Sequence, residues 1–126
     1  MEFKIHAKSR LQPTEDVDKV IKTLSNIFDY DDIEIGDDYV IVSGGNDSLT
    51  KLQKELRERK IRSAARIMLL KGIHANKIHF NLSKQAALVG IPNFVDGDLS
   101  PLGEIEVEIE TEDIEKFIDW FAPEIK

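Results

Sequence analysis

Apolar and polar residues alternate along three segments of the chain with the period of two that marks a half-buried β-strand. These segments are residues 2–8, 77–82 and 104–110. A shorter alternation within residues 33–43 is interrupted by Asp37 and Asp38. Because paired aspartates are typical of turns, residues 33–43 are predicted to form a β-hairpin.

Helical spacing of apolar residues predicts three helices, and the same acidic motif precedes two of them. The predicted helical segments are residues 14–28, 49–71 and 111–121. The motif Thr-Glu-Asp begins at Thr14 and again at Thr111. We expect both threonines to be N-cap residues, because a hydroxyl accepts hydrogen bonds from first-turn N–H groups and the acidic neighbours favour the positive end of the helix dipole. The repeat is interpreted as two helix starts rather than as a catalytic or metal site.

The length and the predicted elements together indicate the fold class. A chain of 126 residues fits one domain with a sizeable core and leaves no room for a second domain of ordinary size. We predict a single two-layer α+β domain over residues 1–126, with a largely antiparallel or mixed β-sheet covered by helices. Residues 83–89 favour neither helix nor strand. Residues 90–103 are rich in glycine, proline and aspartate, and are predicted to form a long loop whose role the sequence leaves open.

A row of glutamates follows every second position of the last predicted strand. The row comprises Glu104, Glu106, Glu108 and Glu110. Alternate residues of a strand lie about 7 Å apart, whereas a metal ion needs ligands that converge from several segments. Lys4 and Lys8 offer opposite charges on the first predicted strand. We therefore predict that residues 2–8 and 104–110 pair, and that the row is a solvated face neutralised by its neighbours.

The composition narrows the class of protein. The chain is 41% apolar and 33% charged, with a formal net charge of −7, which is typical of a soluble globular protein. It has no cysteine, so disulfides and thiolate metal sites are excluded. No membrane span or signal-peptide pattern is found, and a cytoplasmic location is expected. The acidic excess argues against a nucleic-acid function, and against DNA in particular, unless basic residues are concentrated locally.

Such a concentration exists in the long predicted helix. Residues 51–71 contain eight basic and two acidic side chains, a local charge of +6. At about 100° per residue, Arg59, Arg62 and Arg66 fall on one stripe that suits phosphate contacts in register. A structural interpretation competes, because two of these arginines lie four residues after a glutamate, the spacing of ordinary helix-surface ion pairs.

The apolar positions of the same helix shift around its axis. The first set is Leu49, Leu52 and Leu56, and the second is Ile61, Ala64, Ala65 and Met68. The shift predicts either a kink near Arg59 or burial on two sides, which a subunit interface could supply. We therefore expect Ile61, Ala65 and Met68, or the loop at residues 90–103, to contribute to a homodimer interface.

No motif indicates catalysis. The chain has three histidines and no cysteine, and no serine lies in a recognisable elbow or triad context. His79, on the polar side of a predicted strand, is interpreted as a surface residue rather than a base. Gly44 and Gly45 precede a helix but lack the Walker and dinucleotide patterns, so an ordinary turn is expected. We expect no enzymatic activity, no metal and no cofactor.

Three stretches carry a resemblance to a known family. They are LRERKIRSAAR at residues 56–66, FNLSKQAALVGIPNF at residues 80–94 and SPLGEIEVEI at residues 100–109. Through them nearly the whole chain resembles the uncharacterised archaeal protein family 0201, which has RNA-binding-like proteins among its relatives. Ser63 and the pair Ile91-Pro92 depart from the family pattern. The resemblance implies an α+β domain similar to the large-subunit ribosomal protein that binds 5S ribosomal RNA, a dimer, and no established activity.

Two functions of different classes follow. The first is a non-catalytic module that binds structured RNA or a ribonucleoprotein through the basic helix. Its candidate contacts are Arg57, Arg59, Arg62, Arg66, Lys84 and Gln85. The second is an acidic homodimeric protein-protein interaction module without RNA-binding activity, which the net charge favours. Because no aromatic residues interleave the basic helix and the RNP signature is absent, the sequence leaves both functions open.

Overall fold

The computed structural model describes residues 2–96 and 103–124, and over these ranges it contains seven strands and five helices. The strands are β1 (Phe3–Arg10), β2 (Asp32–Ile35), β3 (Tyr39–Gly44), β4 (Ile73–His74), β5 (Lys77–Leu82), β6 (Phe94–Val95) and β7 (Ile105–Thr111). The helices are α1 (Val17–Ile27), α2 (Thr50–Glu58), α3 (Arg62–Lys71), α4 (Lys84–Leu88) and α5 (Ile114–Phe121). No helix in the described ranges is long and apolar enough to cross a membrane.

The strands form one antiparallel sheet in the order β2-β3-β1-β7-β5-β4, with β6 added beside β5. The predicted α+β class is therefore confirmed. The pairing of the first strand with the glutamate strand is confirmed as well, since Ile5 lies opposite Ile109 and His6 opposite Glu108. The predicted hairpin is formed by β2 and β3.

One face of the sheet and the helices enclose the core. Along β1 every second side chain is buried, beginning with Phe3 and Ile5, and the apolar positions of β7 and β5 follow the same rule. Leu24, Leu56 and Phe117 supply fully buried side chains from three helices. Each buried side chain of this size contributes about 1.5–3 kcal/mol by leaving water. The polar positions of the strands consequently line the opposite face, which is mostly exposed to solvent.

Each Thr-Glu-Asp motif begins a helix, but the aspartate and not the threonine is the N-cap. The Asp16 carboxylate accepts the Asp18 N–H at 2.9 Å, and the Asp113 carboxylate accepts the Lys116 N–H at 3.0 Å. Thr111 is the buried last residue of β7, and its hydroxyl donates to the Glu2 carbonyl at 3.1 Å. The predicted capping role of Thr14 and Thr111 is wrong, because both helices start directly after the aspartate, and aspartate caps at least as well as threonine.

The long basic helix is broken into α2 and α3, so of the two alternatives the break near Arg59 is correct. Lys60 takes a left-handed backbone conformation with φ of 59°. The Lys60 N–H donates to the Arg57 carbonyl at 3.3 Å, and the Ile61 N–H donates to the Leu56 carbonyl at 3.0 Å. This pair of bonds is the Schellman motif that commonly ends helices. The chain turns here without a glycine or a proline.

Two other predicted segments differ in detail. The ambiguous residues 83–89 contain α4, which Ser83 caps by accepting the Ala86 N–H at 3.2 Å. The predicted long loop contains β6 in its first half, while residues 97–102 lie outside the described residues.

Glu104 does not join the exposed glutamate row, since it precedes β7 and is only 7% exposed. The positive φ of 80° at Gly103 turns the chain before the strand alternation begins.

Candidate nucleic-acid interface

The turn that joins α2 to α3 carries the densest group of basic side chains. Residues 54–62 contain five basic and two acidic residues, a local charge of +3. We call the five basic residues the basic corner; they are Lys54, Arg57, Arg59, Lys60 and Arg62. The Schellman turn places the last residues of α2 and the first residue of α3 around one bend. The cations are thereby brought together over a short length of chain.

The basic corner is only partly neutralised by the protein itself. Arg59 donates to the Glu55 carboxylate at 2.5 Å, and Lys54 lies 3.9 Å from Glu58. Arg57 and Lys60 are exposed, and neither side chain has a hydrogen bond or an ion pair within the described part of the chain. Exposed ion pairs of the i,i+4 type contribute only about 0.3–0.5 kcal/mol. A phosphate could therefore replace the carboxylate partners at little cost.

The predicted stripe of Arg59, Arg62 and Arg66 is not formed, because α2 ends at Glu58 and only Arg62 and Arg66 belong to α3. Arg66 instead donates to the Ala122 carbonyl at 3.1 Å and lies 2.9 Å from the Asp119 carboxylate. Its side chain is 22% exposed, so it ties α3 to α5. The pairing that the sequence predicts for Arg62 with a glutamate four residues earlier is not found, and the Arg62 Nε is buried without a hydrogen-bond partner among the described residues.

Lys84 is buried, although the sequence offered it as a candidate RNA contact. It is 4% exposed, and its Nζ donates to the Arg10 carbonyl at 2.7 Å and to the Glu15 carboxylate at 2.8 Å. The same carboxylate accepts the Gln12 N–H at 3.0 Å. Lys84 thus ties α4 to the connection between β1 and α1, while its neighbour Gln85 is exposed. The structure does not bring Lys84 into the basic corner.

The polar face of the sheet is a feature that sequence reasoning captured only in part. Residues of β7 face oppositely charged or polar residues on both neighbours: Glu110 lies between Lys4 and Lys77, Glu108 between His6 and His79, and Glu106 between Lys8 and Asn81. The lysines of β1 lie opposite these glutamates as predicted, but the ion pairs found on this face among the described residues join β7 to β5 and not to β1. Nothing in the sequence identified β5 as the other neighbour of β7.

The best defined interaction on this face links Lys77 and Glu108. The Lys77 Nζ lies 3.0 Å from the Glu108 carboxylate, and the hydrogen bond between them lowers the pKa of Glu108. A groove of about 550 Å³ runs beside this pair and is lined in part by His6, Lys8 and His79. Among the described residues, no group of three or more histidines and carboxylates is arranged to hold a metal ion. The near balance of opposite charges makes this face a poor phosphate surface.

Comparison with known proteins places the chain in a family. A family model described as RNA binding matches residues 4–111. A UPF0201 protein of Methanothermobacter thermautotrophicus is 40% identical over 122 residues, covering 97% of this chain and 92% of that protein. A UPF0201 protein of Saccharolobus solfataricus is 40% identical over 126 residues, covering 95% of this chain and 87% of that protein.

Solved structures agree with this assignment. A crystal structure of an uncharacterised UPF0201 protein matches with a TM-score of 0.86 and 32% identity, covering 96% of this chain and 94% of that one. The UPF0201 protein from Methanococcus jannaschii matches with a TM-score of 0.80 and 38% identity, covering 98% and 95%. The DUF54 protein Mth689 of Methanothermobacter thermautotrophicus, at a TM-score of 0.65 and 20% identity over 96% and 99%, shares the fold. The chain therefore belongs to the UPF0201 family of archaeal proteins and, over residues 4–111, to the family described as RNA binding.

Proposed function

We propose that the protein is a non-catalytic RNA-binding protein that contacts the phosphates of a structured RNA through the basic corner. The observation that carries the proposal is the pair of exposed cations, Arg57 and Lys60, that have no carboxylate partner among the described residues. Arg59 lies beside them and shares its charge with one glutamate. The family description supports RNA as the ligand class.

The backbone at Lys60 gives independent support. Lys60 has a left-handed conformation at the end of a helix. Glycine adopts this conformation most easily, and any residue with a Cβ makes the folded protein less stable there. Residues that keep an unfavourable backbone conformation often do so for function. At this position lysine places a cation at the bend, whereas glycine would place none.

Salt-dependent RNA binding tests the proposal. We would measure the affinity for a structured RNA by fluorescence anisotropy over a series of salt concentrations. The variant Arg57→Gln/Arg59→Gln/Lys60→Gly should lower the slope of log affinity against log salt by up to about 0.7–0.9 for each phosphate that is no longer neutralised. A matched control changes the same number of exposed basic residues elsewhere, on α1 and α5: Lys19→Gln/Lys22→Gln/Lys116→Gln. The control should retain most of the slope and affinity.

Lys60→Gly alone separates binding from folding. Glycine relieves the left-handed conformation and should raise the free energy of unfolding by about 0.5–1 kcal/mol. The same change should weaken RNA binding, because it removes one cation. Equal affinity in the unmutated protein and in the corner triple variant would move the RNA site elsewhere, and the absence of binding at low salt would remove the proposed function altogether.

A homodimeric interaction module is the second candidate, and exposed apolar residues favour it. Ile67 and Leu70 on α3 are 56% and 49% exposed, and Ile73 in β4 is 40% exposed. Of the interface residues predicted from sequence, Ala65 is fully buried and Ile61 packs against the same core, so the exposed residues of α3 are proposed in place of these two. Sedimentation of the unmutated protein and of Ile67→Glu/Leu70→Glu tests this candidate: a dimer that dissociates in the variant supports it, and a monomer at micromolar concentration contradicts it.

A further inference from the structure

A run of acidic residues without any basic residue surrounds an edge strand. Residues 29–38 contain six acidic residues and no basic residue, so this segment supplies −6 of the formal net charge of −7. β2 lies within the segment and ends the sheet on one side. Within the described residues, Asp29 forms an ion pair with Lys51 at 3.6 Å, and the remaining five acids form none. The free edge of the sheet is therefore strongly negative.

The backbone of β2 has groups available for another strand. The Gly36 N–H donates to the Tyr39 carbonyl at 2.9 Å, which fixes this pair as hydrogen-bonded in the β2–β3 ladder. Hydrogen-bonded and non-hydrogen-bonded pairs alternate along an antiparallel ladder. The backbone of Glu34 is therefore also bonded to β3, where Glu34 lies opposite Ile41. The N–H and C=O groups of Ile33 and Ile35 therefore point away from β3. An added strand would find two donors and two acceptors there.

The side chains of the same two residues extend the apolar face of the sheet beyond its helical cover. Ile33 lies opposite Val42 and Ile35 opposite Val40, and both valines are buried. Ile33 and Ile35 themselves are 41% and 54% exposed. Edge strands usually avoid exposed apolar side chains, since these invite pairing with other chains. A second strand added at this edge would cover both isoleucines.

The charges decide which kind of strand fits. A second copy that paired through the same edge about a twofold axis would bring one acidic segment against the other, and like charges directly opposite are destabilising. An incoming strand that alternates apolar and basic residues would instead place its apolar side chains beside Ile33 and Ile35. Its lysines or arginines would lie beside Asp32 and Glu34, on the other face of the sheet.

We propose that β2 is a docking edge for an extended basic segment of a partner protein, which adds to the sheet as a further strand. Main-chain hydrogen bonds to Ile33 and Ile35 would supply affinity, and the acidic residues of the segment would select a basic partner. Glu34 is held in place for this role, because the Tyr39 hydroxyl donates to its carboxylate at 2.6 Å. This surface is separate from the basic corner, so the inference stands independently of RNA binding.

A synthetic peptide of alternating valine and lysine is the direct probe. Its affinity would be measured by fluorescence anisotropy, and the exchange of backbone amides by NMR with and without peptide. We expect peptide binding to weaken as salt rises, because the Debye length falls from about 10 Å at 0.1 M ionic strength to about 3 Å at 1 M. Bound peptide should slow the exchange of the Ile33 and Ile35 amides, which have no hydrogen-bond partner among the described residues of the free protein. A peptide of alternating valine and glutamate should not bind.

Charge variants with a matched control test the role of the acidic segment. Asp31→Asn/Asp32→Asn/Asp37→Asn should reduce peptide affinity by roughly tenfold, as expected when several attractive charges are removed from an interface. The control Glu2→Gln/Glu112→Gln/Glu124→Gln alters the net charge equally at sites off β2 and should change the affinity less than about twofold. Equal losses in the two triple variants would show that only net charge matters and would overturn the proposal.

Ile33→Pro tests the backbone contribution. Proline removes an N–H that points away from β3, so the hairpin should survive while peptide binding is lost. If Ile33→Pro does not fold, the docking proposal is still tested by Asp31→Asn/Asp32→Asn/Asp37→Asn and by the exchange of the Ile33 and Ile35 amides. Absence of peptide binding at low salt, or protection confined to amides outside β2, overturns the proposal. So does a dimer of the free protein that Ile33→Pro dissociates, because a second copy would then occupy the edge.

Discussion

Replacing Lys84 by methionine separates a structural role from an RNA-contacting role for this residue. The ammonium group is buried between the Arg10 carbonyl at 2.7 Å and the Glu15 carboxylate at 2.8 Å. Methionine matches the length of the side chain and removes its charge and donors. The Glu15 side chain, only 15% exposed, would then keep a negative charge without its cation.

The expected loss of stability follows from this geometry. Breaking a buried ion pair by removing one partner costs about 3–5 kcal/mol. The Gln12 N–H remains bonded to the Glu15 carboxylate and offsets part of the loss, so the lower end of that range, about 3 kcal/mol, is expected. For a chain of this size, each kcal/mol lowers Tm by about 3–5 °C, which gives a decrease of roughly 10 °C or more.

Urea denaturation of four proteins checks the magnitude: the unmutated chain, Lys84→Met, Glu15→Gln and the double variant. The double variant should lose less than the sum of the single losses, by at least about 1.5 kcal/mol, because the two side chains form one pair. RNA affinity per folded molecule should not change. A loss below about 1 kcal/mol for Lys84→Met would refute the structural reasoning, and reduced RNA affinity at full stability would make Lys84 a phosphate contact.

Three further substitutions test local features of the fold. Asp113→Ala should lower the free energy of unfolding by about 1 kcal/mol in urea denaturation, because the N-cap of α5 is lost. Ala75→Gly should raise it by about 0.5–1 kcal/mol, because Ala75 has φ of 56° in the turn between β4 and β5. The hydrogen bond from Lys77 lowers the pKa of Glu108 in the folded protein. The contribution of Glu108 to the free energy of unfolding is therefore fully present above the unfolded pKa of about 4.3 and is lost as pH falls through the lower folded pKa. Glu108→Gln should flatten the decline of stability between about pH 5 and pH 3.

The sheet could be predicted from sequence because its patterns are local and strong. Half-buried strands must alternate, so β1, β5 and β7 are visible in the positions of their apolar residues. The pairing of β1 with β7 could be predicted because lysines on one strand and glutamates on the other must lie on one face. The order of the remaining strands has no comparable signal, since it depends on contacts between residues far apart in sequence.

The candidate site was harder to predict for three physical reasons. The break at Lys60 occurs without a glycine or proline, so only the shift of apolar positions indicated it. Threonine and aspartate are both good N-caps, so a Thr-Glu-Asp motif does not by itself choose between Thr111 and Asp113. Lys84 meets Glu15 across 69 residues, and no local pattern distinguishes a buried lysine from an exposed one.

The net charge of −7 is a weak objection to RNA binding once its distribution along the chain is considered. Removing the contribution of −6 from residues 29–38 leaves −1 for the other 116 of the 126 residues. The acidic segment and the basic corner lie on different elements, and no ion pair between them is found within the described ranges. RNA contacts depend on local phosphate neutralisation, and exposed charges beyond a Debye length of about 8 Å at physiological salt are largely screened. The triple variant Asp31→Asn/Asp32→Asn/Asp37→Asn should therefore bind RNA as the unmutated protein does at about 0.15 M salt. An affinity that rises several-fold would show instead that the total charge of the chain controls RNA binding.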